Sequence, residues 1–261
     1  MNAGTNQPLL AIRGLCKNFG GLQAVADFSM DLAPGELKGL IGPNGAGKST
    51  VFNLISGLHK PSGGSVQLDG ENITGLTPDR ICRKGVARTF QIVKLLENIS
   101  VLEIMRTSFF LSAGYHVLDA LLLTERYRRR EKEIEDQARR YLSLLGVDHL
   151  VNKNGNELAF GLQRKVDLAR TLALSPRLLL LDEPMCGLNQ TEKSELCDII
   201  LRLKESFGLS IILVEHDMKV IMDLCPSIVV MNQGQVIAEG SSGEVRRHPQ
   251  VIEAYLGTGA A

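Results

Sequence analysis

Apolar positions along the chain repeat in two ways, and these repeats predict the order of strands and helices. Short runs rich in Val, Ile and Leu and bounded by turn-forming residues are typical of strands. Such runs occur at residues 9–19, 23–32, 37–41, 65–68, 86–90, 178–181, 210–214 and 228–231. Residues 178–181 are all leucine, as expected for a strand that is buried on both faces. Apolar residues at helical spacing, such as Leu196, Ile199 and Leu203, predict helices that pack on the sheet.

Turn signals and a change of pattern divide the chain. Gly20-Gly21 and Asp69-Gly70 are turn-forming pairs at the ends of predicted strands, which favours an antiparallel β subdomain. Strands that alternate with helices elsewhere favour a mostly parallel sheet. Ser100 and Glu103 form a capping-box pattern that opens a helix in a charged, helical stretch. We therefore predict one α/β domain with a core at residues 1–90 and 177–261 and an inserted α-helical lobe at approximately residues 91–176.

The composition excludes several classes of protein. The 261 residues are 44% hydrophobic and carry 29 basic and 29 acidic side chains. We therefore expect a packed core and no nucleic-acid partner. Five cysteines without a CxxC spacing predict reduced thiols rather than a disulfide framework. We recognise no signal peptide, and no apolar run reaches about 18 residues, so any membrane role is expected to come through a partner.

The glycine-rich segment after the strand at 37–41 carries the strongest chemical signal. It matches G-x-x-x-x-G-K-[ST] between a predicted strand and a helix predicted at 48–58, which indicates a phosphate-loop NTPase core. Its glycines would let backbone N–H groups surround phosphate oxygens beside the positive end of the helix dipole. Lys48 would reach the β- and γ-phosphates, and Ser49 would offer its hydroxyl to Mg²⁺. The predicted nucleotide-binding residues are Gly42, Pro43, Asn44, Gly45, Ala46, Gly47, Lys48, Ser49 and Thr50.

Two acidic residues follow the leucine run. The carboxyl end of a buried strand is where α/β sheets bind ligands, so these acids should lie beside the phosphate loop. We expect Asp182 to hold Mg²⁺ through a water molecule and Glu183 to orient or deprotonate the attacking water. Phosphoryl transfer needs positioning and charge neutralisation more than covalent chemistry, so one such acid suffices. Asp-Glu is also a common strand end, and its pairing with the phosphate loop is what favours the catalytic interpretation.

Two further features go beyond a generic phosphate-loop ATPase. Residues 158–164, LAFGLQR, begin an amphipathic helix upstream of Asp182. His216 follows two residues after the strand at 210–214. A lone histidine there is commonly a structural cap, but its position after this strand favours a functional role.

Together these segments resemble the ATP-binding cassette (ABC) family over nearly the whole chain. By this resemblance, residues 42–50 are the Walker A loop, residues 178–182 the Walker B strand, and Glu183 the catalytic carboxylate. Gln91 is similar to the Q-loop glutamine, which contacts Mg²⁺ and the water and signals to the membrane subunit. His216 is similar to the switch histidine that contacts the γ-phosphate.

Other positions fit the family pattern less closely. Phe19 lies where the adenine-stacking aromatic belongs, with a core phenylalanine as the alternative. The signature segment has Ala159 and Leu162 in place of the usual serine and glutamine, and it retains Gly161 as a nucleotide-binding residue. Without a hydroxyl at position 159 one hydrogen bond to the γ-phosphate cannot form, although backbone N–H groups and the helix dipole could supply most of the contact.

Several segments also resemble one subfamily, the ATP-binding subunits of branched-chain (hydrophobic) amino acid importers. They are ELAFGLQRKVDLAR, CGLNQTE, VEHDMKVIM, HPQVIEAYLG and the helical insertion at 107–140. The resemblance implies ATP and Mg²⁺ as cofactors and hydrolysis of ATP in a composite site shared with a second ABC subunit, either an identical chain or a related cassette.

The same resemblance implies partners and a location. The partners are transmembrane permease subunits and, indirectly, a solute-binding protein, and the chain is expected to be cytoplasmic and peripheral on the inner face of the cell membrane. The alternative is a soluble ABC ATPase of DNA maintenance or translation. The single cassette, the short insertion and the neutral charge all speak against that alternative.

Overall fold

A computed structural model describes residues 7–89, 95, 98–110 and 117–256. The strands in this part of the chain are β1 (Leu10–Phe19), β2 (Leu22–Leu32), β3 (Leu37–Ile41), β4 (Gly63–Leu68), β5 (Glu71–Asn72), β6 (Val86–Arg88), β7 (Leu178–Asp182), β8 (Ser210–Val214), β9 (Ser227–Asn232) and β10 (Gln235–Ser241). The α-helices are α1 (Lys48–Ile55), α2 (Pro78–Arg83), α3 (Val101–Ser108), α4 (Val117–Leu121), α5 (Glu125–Leu144), α6 (Phe160–Leu172), α7 (Gln190–Phe207), α8 (Met218–Leu224), α9 (Ser242–Arg247) and α10 (Pro249–Leu256).

The chain divides into two compact units. The first unit comprises Met1–Arg88, Arg177–Glu183 and Ile200–Ala261, and the second comprises Thr89–Pro176 and Pro184–Ile199. Each unit is described by itself below.

A six-stranded sheet forms the centre of the first unit. Its order is β10-β9-β3-β8-β7-β6, and every neighbouring pair is parallel except β9 with β10. The predicted α/β class with a mostly parallel sheet is confirmed. Gly39 of β3 and Leu181 of β7 both align with Leu213 of β8. Because the three strands are parallel, the segments that follow β3 and β7 leave the sheet at the same edge, about two strand spacings (~10 Å) apart.

The second sheet of this unit is antiparallel, with the order β2-β1-β4-β5. The predicted turns are confirmed: Gly20 lies between β1 and β2, while Asp69 and Gly70, with φ of 51° and 77°, connect β4 to β5. One hydrophobic cluster joins residues of both sheets and α1, including the fully buried Phe28 and Phe52. Burial of such a side chain contributes about 1.5–3 kcal/mol, so the cluster fixes α1 against the sheets.

Helices form most of the second unit. The capping box at the start of α3 is present: Ser100 Oγ accepts from the N–H of Glu103 at 3.2 Å, and Glu103 Oε2 accepts from the N–H of Ser100 at 2.8 Å. Helix α5 buries Ile134, Ala138 and Leu142, which repeat every four residues, and its remaining positions are largely charged. Its one apolar stripe explains how so charged a helix packs.

The boundaries differ from the predictions where local patterns are weak. The helix predicted at 48–58 ends at Ile55, and the strand predicted at 86–90 ends at Arg88, with Phe90 outside the described residues. Strand β10 and helices α9 and α10 were not predicted, because β10 is an edge strand and each helix is too short to show a clear period. No helix in the described part of the chain combines the length and the apolar character needed to cross a bilayer.

Candidate functional site

The phosphate loop connects β3 to α1 and depends on glycine at two positions. Gly42 and Gly47 have φ of 152° and 104°. A Cβ atom at Gly42 would lie 2.1 Å from the carbonyl oxygen of Met231, and one at Gly47 would lie 2.6 Å from that of Ala24. Backbone from neighbouring segments therefore closes around the loop so tightly that no side chain fits at either position.

Helix α1 presents its N-terminus to the loop. Its N-cap residue is Gly47, and no side chain within the described ranges caps it or places an acid in its first turn. The first N–H groups of a helix have no partner inside the helix, and they carry the positive end of its dipole. An anion such as a phosphate is the natural partner for these groups.

Lys48 is the first residue of α1, and its side chain folds back over the loop. Its Nζ atom donates to the carbonyl oxygens of Gly42 at 2.7 Å and Pro43 at 3.0 Å. Burial lowers the pKa of the Lys48 amine below its ordinary value, while the nearby carboxylates of Glu183 and Asp182 act in the opposite direction. The amine is thus held by neutral acceptors in the place where phosphates would bind.

A cavity of about 640 Å³ opens over the phosphate loop. It is lined by Phe19, Leu22, Gln23, Ala24, Asn44, Gly45, Ala46, Gly47, Lys48, Ser49, Thr50, Glu183, His216, Gln233 and Gly234. Phe19 is 42% exposed and lies edge-on to the ring of His59, with the ring centroids 5.3 Å apart. The alternative that Phe19 belongs to the core is therefore wrong.

The turn between β9 and β10 also lines the cavity, and the sequence analysis missed it. The turn between β9 and β10 places Gly234 so that its N–H donates to the carbonyl oxygen of Ala46 at 2.9 Å. The N–H of Ala26 in turn donates to the carbonyl oxygen of Gly234 at 2.8 Å. The residues Asn232-Gln233-Gly234 do carry a turn signal, but only the fold shows that this turn meets the phosphate loop.

The C-terminal helix also contacts the loop. Tyr255 of α10 is hydrogen-bonded to the backbone of Gly42, and burial raises the pKa of its hydroxyl to about 12. Gly42, the first residue of the loop, is thus contacted by both Tyr255 and Lys48.

The acid pair lies at the end of β7, as expected. Asp182 is buried, and its Oδ2 atom lies 2.6 Å from Nη2 of Arg88. Glu183 has a φ of 47°, which is unusual for a residue other than glycine, and its N–H donates to the carbonyl oxygen of Val214 at 2.9 Å. Because of this backbone conformation, the side chains of Asp182 and Glu183 point in different directions. Positive φ at a residue other than glycine is a form of backbone strain that is common at functional sites.

His216 lies beside Glu183 rather than at the cap of a helix. Its Nε2 atom is 2.6 Å from Oε1 of Glu183, and its side chain is 47% exposed at the cavity. The N-cap of α8 is Asp217, whose carboxylate accepts from the N–H groups of Lys219 and Val220. The structural-cap alternative for His216 is therefore wrong, and the histidine and the acid form one hydrogen-bonded pair.

Of the remaining predicted residues, Gln91 is outside the described residues, and Ala159 and Gly161 belong to the second unit. Ala159 is the N-cap of α6, and Gly161 in the first turn of that helix is buried, where a Cβ atom would lie 2.8 Å from Oε1 of Glu192. In the second unit, Gly161 borders a smaller cavity of about 240 Å³ together with Lys165 and Leu188.

The fold and the site define a phosphate-loop nucleotide-binding domain. The family described as "ABC transporter" matches residues 25–186, more than half of the chain, and "Branched-chain amino acid ATP-binding cassette transporter" matches residues 235–261. The chain therefore belongs to the ATP-binding cassette family, whose members hydrolyse ATP to power transport. The sequence-based prediction of an ABC ATPase is confirmed.

Known proteins resemble this chain over almost its full length. The high-affinity branched-chain amino acid transport ATP-binding protein LivG of Salmonella typhimurium is 42% identical over 97% of this chain and 99% of its own. The corresponding protein BraF of Pseudomonas aeruginosa is 39% identical over the same shares. These relatives are transport proteins and do not favour the alternative of a DNA-maintenance or translation ATPase.

Solved structures agree with this assignment. The ADP conformation of MJ1267, an ATP-binding cassette of an ABC transporter, has a TM-score of 0.84 and 29% identity over 96% of this chain and 99% of its own. A nucleotide-free cassette from an ABC transporter has a TM-score of 0.83 and 28% identity over 95% and 99%.

Proposed function

We propose that the chain is the ATP-hydrolysing subunit of an ABC importer for branched-chain or other hydrophobic amino acids. The observation that carries this proposal is the similarity over the whole chain to LivG and BraF, which extends into the C-terminal segment 235–261. That segment includes β10, α9 and α10 and reaches the phosphate loop through Tyr255.

In this proposal each residue of the cavity has a separate role in ATP hydrolysis. The backbone of the loop and the start of α1 bind the phosphates, and Lys48 exchanges its carbonyl partners for phosphate oxygens. Phe19, exposed at the cavity, offers a face on which an adenine ring stacks. Glu183 orients the attacking water, while His216 holds Glu183 in place and reaches toward the γ-phosphate.

Ser49 and Asp182 would hold Mg²⁺. Mg²⁺ prefers oxygen ligands and is usually bound by one or two carboxylates together with substrate phosphates rather than by an all-protein cage. The donors fit this pattern, because Ser49 lines the cavity and Asp182 ends β7, two strands from β3 in the same sheet. No cluster of three or more His, Cys, Asp or Glu side chains able to hold a metal occurs in the described ranges. When bound, the ion would neutralise charge that develops on the phosphates.

We further propose that the chain works as a dimer of cassettes, either identical or related, on transmembrane permease subunits that a solute-binding protein supplies. Gly161 would then belong to the composite site, with the N-terminus of α6 facing a phosphate of the other subunit. Gln91 is proposed to contact Mg²⁺ and to signal to the permease. The chain would lie at the cytoplasmic face of the membrane through these partners.

Uptake of labelled leucine, isoleucine and valine tests the proposal. Cells that lack the gene should regain uptake when they receive the wild-type chain, but not when they receive an equally abundant Glu183→Gln variant. Uptake of labelled lysine serves as the control and should not change. If the purified wild-type chain hydrolyses ATP but restores no uptake of these three amino acids, the substrate class is wrong and the ATPase assignment stands.

A further inference from the structure

Arg88, the last residue of β6, lies at the centre of a buried polar cluster in the first unit. Its Nη2 atom is 2.6 Å from Oδ2 of Asp182, and its Nη1 atom donates to Oδ1 of Asn53 at 2.7 Å and to Oγ of Ser56 at 3.3 Å. The side chains of Arg88 and Asp182 are only 9% and 8% exposed. Arg88 belongs to the strand predicted at residues 86–90, and no sequence motif gives it a role.

The cluster joins the two halves of the nucleotide site. Asn53 and Ser56 lie on and just after α1, the helix that begins at Lys48, whereas Asp182 ends β7. The guanidinium of Arg88 also lies over the ring of Phe52, 5.5 Å from its centroid. One planar cation therefore contacts both the helix that carries the phosphate loop and the carboxylate expected to serve the metal.

A contribution to folding stability does not by itself explain why Arg88 and Asp182 form a buried ion pair. Removing two charges from water costs several kcal/mol each, and buried ion pairs replaced by packed apolar residues are often as stable or more so. What a guanidinium provides is direction, because its donors are fixed in one plane and hold a carboxylate in a set orientation. Residues that orient a ligand in this way typically change metal affinity when they are replaced.

We propose that Arg88 is a positioning residue for the metal site: held by Asn53 on the phosphate-loop helix and by Ser56 just after it, Arg88 fixes the carboxylate of Asp182 relative to the phosphate loop. The inference rests on the proposed role of Asp182 in holding Mg²⁺. The inference gives a role in metal binding to a residue that does not line the cavity. It predicts that the geometry of the Arg88 donors, and not only their charge, determines the metal concentration needed for half-saturation.

The test uses Arg88→Lys, which keeps the positive charge but loses the planar fork. Mn²⁺ replaces Mg²⁺ as the probe, and its binding to the full-length chain is followed by electron paramagnetic resonance at a fixed concentration of a non-hydrolysable ATP analogue. The Mn²⁺ concentration for half-saturation should rise about tenfold or more. Affinity for the analogue in EDTA should stay within about twofold of wild type, since Arg88 does not line the cavity.

Two further variants complete the test. Arg13→Lys is the matched control, because Arg13 forms an ion pair with Asp31 at 2.6 Å on an exposed part of the antiparallel sheet, and it should leave the Mn²⁺ requirement unchanged. Asn53→Ala removes one support of the guanidinium without touching Asp182. Asn53→Ala should raise the Mn²⁺ concentration for half-saturation by about threefold, which is less than for Arg88→Lys, because Asp182 keeps its charged partner.

The outcomes separate this inference from the proposed function. A folded Arg88→Lys or Asn53→Ala variant with the Mn²⁺ requirement of wild type overturns the positioning role and leaves the ATPase proposal intact. Where Arg88→Lys does not fold, Asn53→Ala alone decides. A wild-type chain that binds the analogue but no Mn²⁺ overturns both the positioning role of Arg88 and the proposed metal-dependent hydrolysis.

Discussion

Replacing Glu183 with glutamine tests whether this residue acts in ATP hydrolysis or only supports the structure of the site. The two side chains have the same shape, so the amide can keep a hydrogen bond to Nε2 of His216, which now lies 2.6 Å from Oε1. A hydrogen bond to a charged group is worth about 1.5–3 kcal/mol and a neutral one about 0.5–1.5 kcal/mol, so the loss of stability should be near 1 kcal/mol. For a chain of this size that lowers Tm by about 2–4 °C.

The expected loss of rate is much larger. A positioned general base contributes about 10²- to 10⁴-fold, which corresponds to about 2.7–5.4 kcal/mol in the barrier. Glu183→Gln should therefore lower kcat for phosphate release by about this factor at saturating ATP and Mg²⁺. Calorimetry with ADP should show affinity within a few-fold of wild type, because the loop and Lys48 are unchanged.

The control for this experiment is Glu71→Gln. Glu71 is exposed on β5 and forms an ion pair with Lys84, so this variant loses an acid outside the cavity. It should hydrolyse ATP at the wild-type rate. A Glu183→Gln variant with that same rate would refute the assignment of Glu183. Loss of activity with an equal loss of ADP binding would show that the residue serves the architecture instead.

Three other perturbations have defined outcomes. Lys48→Ala removes a charge-assisted contact worth about 1.5–3 kcal/mol, so calorimetry should show roughly 10- to 100-fold weaker ATP binding, and unchanged affinity would contradict the role of the loop. Gly47→Ala should lower stability by at least about 1–3 kcal/mol in urea unfolding, because φ is 104° and a Cβ atom would lie 2.6 Å from the oxygen of Ala24. Gly21→Ala, with no atom within 4 Å of its Cβ position, is the matched control and should change stability little. The pKa of Tyr255 is about 12 when the chain is folded and about 10 when it is unfolded, so its contribution to stability is present below about pH 10 and is lost between pH 10 and 12. Tyr255→Phe should lose less stability over that interval; a urea midpoint that falls equally in both proteins would contradict the burial of the hydroxyl.

Much of the fold could be predicted because local and global signals agree. The leucine run at 178–181 predicts a buried strand, and the pairs Gly20-Gly21 and Asp69-Gly70 predict turns between strands. The structure has the strand and both turns. Strand β10 could not be predicted, since its burial alternates irregularly at a sheet edge and it pairs with β9 through a register shift. Such pairing depends on the neighbouring strand rather than on the segment itself.

The candidate site shows the same division. A motif with fixed spacing identifies the phosphate loop, and the leucine run identifies the acid pair that follows it, because the residues of each feature are close in sequence. Arg88 and Asp182 are 94 positions apart, and Tyr255 reaches Gly42 from the far end of the chain. No local pattern marks these contacts, since they arise only when β6 pairs with β7 and α10 packs near the loop.

The charges of the first unit suggest why the nucleotide is needed to complete this site. Two cations and two acids meet near the loop, and each already has a partner: Lys48 binds carbonyl oxygens, Arg88 binds Asp182, and Glu183 binds His216. Phosphate oxygens are charged acceptors, so they compete well for Lys48 against neutral carbonyls. Arg88 has no such reason to leave Asp182, because Asn53 and Ser56, which also bind its guanidinium, lie on or just after the helix that holds the phosphates. Binding of ATP should therefore change the hydrogen-bond partners of Lys48, whereas Arg88 should keep its ion pair with Asp182.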